Sequence, residues 1–163
     1  MKVGFFIGSE SDFDVIKGAL RIFEEFKVPF SLEVTSAHRS PERTKRLIKE
    51  LEDQGAEVFI CAAGKAAHLA GVVASHTVYP VIGIPVGGSD LDGLDALLST
   101  VQMPKGVPVA CMGIGKHGAI NAALLAVQIL SLKDESLREK YGQYKTRMAE
   151  AIEASSNKVK EHL

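Results

Sequence analysis

His38 and His68 are the residues whose type best suits them to move a proton near neutral pH, and each stands among small residues beside a cation. The first lies in TSAHRSPER, residues 35–43, next to Arg39; the second lies in AGKAAHLAG, residues 63–71, with Lys65 nearby. A histidine beside a phosphate anchor is a candidate acid and base. One that only satisfies local hydrogen bonds is an equally weighted alternative. Arg39 precedes Ser40 and Pro41, a helix start whose unpaired N–H groups add to the guanidinium field. With Ser36 and Ser40 alongside, that combination favours a phosphate monoester over a surface carboxylate as the partner of Arg39.

A third loop, GSESD at residues 8–12, sets Ser9 and Ser11 before a helix. They read as a phosphate or hydroxyl site, or as plain capping with Ser11 or Asp12 at the N-cap. Asp12 would repel a phosphate, so a ribose diol is assigned to it.

Other chemistries lack their residues. Gly113, Gly115 and Gly118 match GxGxxG, yet no acidic residue closes a further strand about twenty residues on, so a dinucleotide site is discounted. Lys116 is not followed by Ser or Thr, so there is no phosphate loop for ATP. Residues 62–65 read Ala, Ala, Gly and Lys, without the acceptor Asp of a phospho-receiver. The five histidines, at 38, 68, 76, 117 and 162, have no carboxylates at ligand spacing, and the chain has no Trp to stack on a flavin. The sequence therefore predicts neither metal nor cofactor.

These loops need a scaffold that brings them together. Apolar runs at KVGFFI, FSLEVT, EVFICAA, PVIGIPV and VPVACMGI read as strands and alternate with helical spacing such as Val15, Ala19, Ile22, Phe26 and Leu47, Ile48, Leu51. Gly55 reads as the stop of the second helix. The alternation predicts an α/β fold: a three-layer αβα sandwich with a flavodoxin-like parallel sheet, strand order 2-1-3-4-5. The loops after the strands, with GGSDLDG and GIGKHG as fourth and fifth, would then line one edge. The 163 residues, 46% hydrophobic and carrying a net charge of -1, suit a single domain over 1–163 and leave no basic excess for nucleic acid. The N-terminal apolar run is too short for a signal peptide or membrane span, which predicts a cytoplasmic protein. Cys61 and Cys111 sit in apolar runs and read as free core thiols.

Residues 134–163 place Leu137, Tyr141, Tyr144, Met148 and Ile152 on one stripe of a long C-terminal helix. Its own domain and a neighbouring subunit are equally good partners for that stripe.

Taken together, GSESD, SAHRSPER, AAHLAG, PVIGIPV, STVQMPKGVPVA and NAALLAVQIL, in this order, resemble the N5-carboxyaminoimidazole ribonucleotide mutase family of purine biosynthesis, from Gly8 to about Leu130. The resemblance implies transfer of CO2 from the exocyclic nitrogen of a ribonucleotide to ring carbon 4, without ATP, biotin or metal. It implies catalysis by His38 and His68, phosphate held by Ser11, Ser36 and Arg39, and ribose on Asp12. Ser9, Ala37, Gly64, Lys65, Ala66 and Leu69 complete the implied substrate contacts, with Ala67 in the wall that confines CO2. His68 either donates to the migrating carboxylate or shapes its loop. A homo-octamer is implied too, with C-terminal helices on neighbours and Gln102 and Met103 completing a neighbour's pocket. Lys65 departs from the pattern, as does Ala70: the mutase branch usually has Gly and Pro there, whereas the branch that carboxylates with free CO2 carries a cation after the first glycine. That branch, however, generally lacks His68 and has Lys at the position of Arg39. A carboxylase using free CO2 is the alternative activity, and a regulatory module that binds a nucleotide without chemistry is the alternative of another class.

Overall fold

The apolar runs become a five-stranded, all-parallel sheet in the order β2-β1-β3-β4-β5, in a computed structural model that describes residues 2–162. The strands are β1 Val3–Ile7, β2 Phe30–Val34, β3 Val58–Gly64, β4 Val81–Val86 and β5 Ala110–Cys111. The helices are α1 Phe13–Phe26, α2 Pro41–Asp53, α3 Leu69–His76, α4 Leu94–Val101, α5 Gly115–Ser131 and α6 Glu135–Lys160. Every residue of β1 and β4 is buried, as expected of parallel strands covered on both faces, whereas the edge strand β2 is only half-buried.

Strand alternation divides the core in two. Val3, Phe5, Ile7, Ile60 and Ile84 face α1 and α5, while Phe6, Phe59 and Cys61 face α2 and α3. Phe5 meets Phe23 of α1 edge-on at 6.4 Å between centroids, and Phe6 lies 5.8 Å from Phe59 on the opposite face. The expected three-layer sandwich is therefore the observed one.

The fifth strand is shorter than the run VPVACMGI suggests. Only Ala110 and Cys111 pair with β4, and Met112 adds one hydrogen bond, its N–H donating to the Gly83 carbonyl at 2.8 Å. Pro108, which has no N–H to donate, precedes the paired residues. Gly118 also finds its reason here: a Cβ on it would stand 1.6 Å from the Gly113 carbonyl oxygen. The GxGxxG spacing thus serves close backbone packing at the start of α5.

Two expected caps differ in detail. Ser40 does precede Pro41 at the start of α2, but its hydroxyl accepts from the Ser36 N–H at 3.0 Å instead of from a helix N–H. Ahead of α1, Asp12 occupies the N-cap position but its side chain makes no capping bond; Ser9 caps the short 3-10 turn before it, accepting from the Ser11 N–H. Gly55 follows α2 with φ +90, as the stop requires. Cys61 is buried and Cys111 half-buried, both are free, and burial pushes both thiols above the ordinary thiol range.

Of the two partners expected for α6, its own domain takes the first half. Asp134 caps the helix through the Leu137 N–H at 3.0 Å, Leu137 is buried, and Tyr141 and Tyr144 pack on Phe26. After the Arg147–Glu25 ion pair the helix runs on with Met148, Ile152 and Val159 exposed. Among the described residues no helix is long and apolar enough to cross a membrane.

Candidate active site

Parallel strands deliver their following loops to one edge, and four of those loops enclose a cleft of about 580 Å³, a size suited to a nucleotide. Its lining comes from residues 8–12, 36–39, 63–69 and 87–89. The fifth loop, residues 113–118, contributes nothing to the wall; Ile114 instead sits beside Gly87 and Gly93, where a Cβ on Gly93 would lie 2.9 Å from its Cγ2.

In the first loop Ser11 Oγ donates to Ser9 Oγ at 2.9 Å, placing two hydroxyls side by side over the end of β1. Asp12 lies beneath them, buried, and its burial raises the carboxyl above its usual range despite hydrogen bonds from Ser11 and the local backbone. Such a carboxylate suits a neutral donor such as a sugar hydroxyl better than an anion.

The second loop carries Arg39 and His38. Arg39 donates from Nη2 to the Gly8 carbonyl at 3.1 Å and from its backbone N–H to Ser36 Oγ at 3.2 Å, joining the first two loops. It has no carboxylate partner among the described residues. Beneath the loop runs a set of hydroxyls. Thr35 Oγ1 meets Thr44 Oγ1 at 2.8 Å and Ser40 Oγ at 3.4 Å, and Thr35 and Thr44 are buried. Thr44 thereby anchors the loop to α2.

The third loop answers the second. His68 Nδ1 lies 2.8 Å from His38 Nε2, with the rings edge to face. A bond between two imidazole nitrogens needs one donor and one acceptor, so the pair holds a transferable proton between the loops. Lys65 adopts φ +55, a left-handed conformation, and borders the cleft. Ala66 and Leu69 line the same wall, as does Gly64, whose missing side chain lets the backbone pass close to β4: a Cβ would lie 3.3 Å from the Val86 carbonyl oxygen.

All twelve residues singled out from the sequence as catalytic or substrate-binding line this cleft: Ser9, Ser11, Asp12, Ser36, Ala37, His38, Arg39, Gly64, Lys65, Ala66, His68 and Leu69. Ala67 does not; it is buried behind the wall. Gly8, Ala63, Gly87, Gly88 and Ser89 also line the cleft without having been singled out. The signal for the last three was the GG pair directly after β4, the strand next to β3. Gln102 and Met103 lie outside the cleft, with Met103 Sδ 3.1 Å from where a Cβ of Gly71 would stand. Among the described residues no group of three or more His, Cys, Asp or Glu is arranged to hold a metal ion.

A family model described as AIR carboxylase matches residues 2–151. The chain is 51% identical over 155 residues to the N5-carboxyaminoimidazole ribonucleotide mutase of Methanocaldococcus jannaschii, with 95% of each chain covered. It is 44% identical over 160 residues to a chloroplastic phosphoribosylaminoimidazole carboxylase of Vigna aconitifolia, a match covering 98% of this chain and 28% of that protein. The crystal structure of Treponema denticola PurE superposes with a TM-score of 0.87 at 28% identity, covering 97% of this chain and 98% of that one.

Proposed function

The chain belongs to the AIR carboxylase family, and from this we infer that it is an N5-carboxyaminoimidazole ribonucleotide mutase, an isomerase of purine biosynthesis. The identity of 51% to a mutase of matching length carries this reading. The plant carboxylase is a longer protein of which this chain matches a minor part, so its name is the weaker guide.

The reaction moves a carboxyl group within one molecule, and its protons balance on a single histidine. A protonated His38 gives its proton to the exocyclic nitrogen as the nitrogen–carboxyl bond breaks, leaving an amine and CO2. Ring carbon 4 then attacks CO2, and His38, now neutral, takes the proton that carbon 4 loses. The enzyme ends as it began, and no external acid is consumed. His68 Nδ1, 2.8 Å from His38 Nε2, holds the ring in place and leaves His38 Nδ1 to exchange the proton with the substrate. The small walls at Gly64, Ala66 and Leu69 leave CO2 little room to depart between the two steps.

Substrate placement follows from the loops. Ser11, Ser36 and Arg39 take the phosphate, with Ser9 and the Ala37 backbone beside it; Asp12 takes the ribose hydroxyls. The enzyme assembles as a homo-octamer in the cytoplasm. Leu91, Leu94, Leu98 and Val101 form an exposed apolar run in and before α4, and the outer half of α6 is unpartnered, both of which support burial against other subunits.

The decisive assay supplies purified protein with N5-carboxyaminoimidazole ribonucleotide, or with aminoimidazole ribonucleotide plus bicarbonate and carbonic anhydrase. Formation of 4-carboxy-5-aminoimidazole ribonucleotide is followed at matched concentrations. Strong preference for the first substrate is expected. Efficient use of free CO2 would make the protein a carboxylase, and turnover of neither would leave a binding module.

A further inference from the structure

Among the described residues Lys65 is the one cleft residue other than glycine held at positive φ, at +55, a conformation that L side chains rarely adopt and glycine adopts freely. The turn is fixed on both sides: Ala67 N–H donates to the Lys65 carbonyl and His68 N–H to the Ala66 carbonyl, each at 2.8 Å. Neither bond uses the lysine side chain, so the fold gains nothing visible from an ammonium here. Lys65 also has no carboxylate partner among the described residues. Among the described residues, and apart from the two histidines, the cleft is lined by two cations, Arg39 and Lys65, and by a single carboxylate, Asp12.

The two cations stand at separate places along the sheet edge. Arg39 follows β2 and its guanidinium is tied to the Gly8 carbonyl after β1, while Lys65 follows β3. A ribonucleotide bound across these loops carries its phosphate at one end and its imidazole ring at the other. The mutase substrate has an anion at each of those ends, a phosphate on the ribose and a carboxylate on the base. Its decarboxylated form has only the phosphate.

We propose that Lys65 is a specificity-determining residue that recognises the carboxylate of the nucleotide, so that the cleft holds carboxylated aminoimidazole ribonucleotides in preference to the bare one. The assignment rests on the mutase reading for the identity of the ligand. Its consequence for turnover is directional: the decarboxylated intermediate lacks the Lys65 contact, and recarboxylation at carbon 4 restores it.

Isothermal titration with 4-carboxy-5-aminoimidazole ribonucleotide and with aminoimidazole ribonucleotide tests this by binding alone. The wild type is expected to bind the carboxylated nucleotide at least about tenfold more tightly, the scale of one charge-assisted contact. Lys65→Met keeps the length and the backbone cost but not the charge; it should narrow that ratio to about twofold while leaving the affinity for the bare nucleotide nearly unchanged. Lys65→Gly, free of the backbone cost, should do the same in a protein that folds at least as well, and Lys65→Arg should keep the preference. A wild type without the preference, a Met or Gly variant that retains it, or an Arg variant that loses it as fully as Met would overturn the proposal. Turnover is read separately on the same wild-type preparation. Its absence would remove the mutase reaction, while a Lys65-dependent preference for the carboxylated ligand would stand.

Discussion

Thr44→Val probes how the hydroxyls beneath the second loop support the site. Valine matches threonine closely in shape, so no cavity opens, and the Ser40 carbonyl still receives the Thr44 N–H at 3.1 Å. The loss falls on Thr35, whose 2.8 Å partner disappears and whose remaining contact, to Ser40 Oγ, is 3.4 Å long. Thr35 is 3% exposed, so water cannot replace the partner without structural opening. A buried hydroxyl left in that state costs roughly 2 kcal/mol. For a chain of this length that lowers Tm by roughly 4–8 °C. The damage should also reach substrate. Ser40 Oγ holds the Ser36 N–H, and Ser36 Oγ holds Arg39, so a shifted Ser40 loosens the phosphate anchor. Calorimetry and steady-state kinetics should therefore show a lower Tm and a KM raised several-fold with kcat little changed, and Thr44→Ser should restore both. A Val variant with wild-type Tm and KM would refute the argument that these hydroxyls position the loop.

The remaining expectations concern single groups. His38→Asn should lower kcat by roughly 10²–10⁴-fold, the usual share of a positioned acid and base, while substrate affinity by titration changes little; near-normal turnover would remove His38 from the mechanism. Asp12 has its folded pKa raised by burial, so its linked stability is fully present below the unfolded carboxylate pKa and is lost as pH rises through the folded value. Asp12→Asn should therefore be more stable than wild type in denaturant at neutral pH, lose that advantage in acid, and bind the nucleotide less well. An Asn variant less stable at neutral pH would contradict the burial argument. Replacing both Met148 and Ile152 by Glu, on the exposed part of α6, should reduce the assembly mass in light scattering without lowering monomer helicity; an unchanged mass would take that helix half out of the interface.

How far the sequence foretold the site varies from residue to residue. Strands β1, β3 and β4 were legible because buried parallel strands must be continuous apolar runs, and β2 because FSLEV alternates as a half-buried edge does; their order put the serines, Arg39 and both histidines on one edge. Strand β5 was overdrawn because hydropathy does not register how Pro108 limits pairing. The histidine pair could be named but not joined: a bond between residues 30 apart depends on loop geometry that no local pattern encodes. The left-handed turn at Lys65 was equally hidden, since lysine is a poor advertisement for positive φ. Asp12 was legible as the N-cap position of α1, but the short 3-10 turn before it, capped by Ser9, was not.

Every residue lining the cleft lies at or before Ser89, whereas the helix that completes the cover over Phe5, Ile7, Ile60 and Ile84 begins at Gly115. Order along the chain is also order of synthesis. A ribosome therefore delivers all four substrate loops while one side of the sheet that carries them still lacks α5. In that interval the growing chain presents its most aggregation-prone surface, and chaperone dependence should concentrate there. Slowing translation before α5 has emerged from the ribosome would lengthen the exposure, while slowing it afterwards would not.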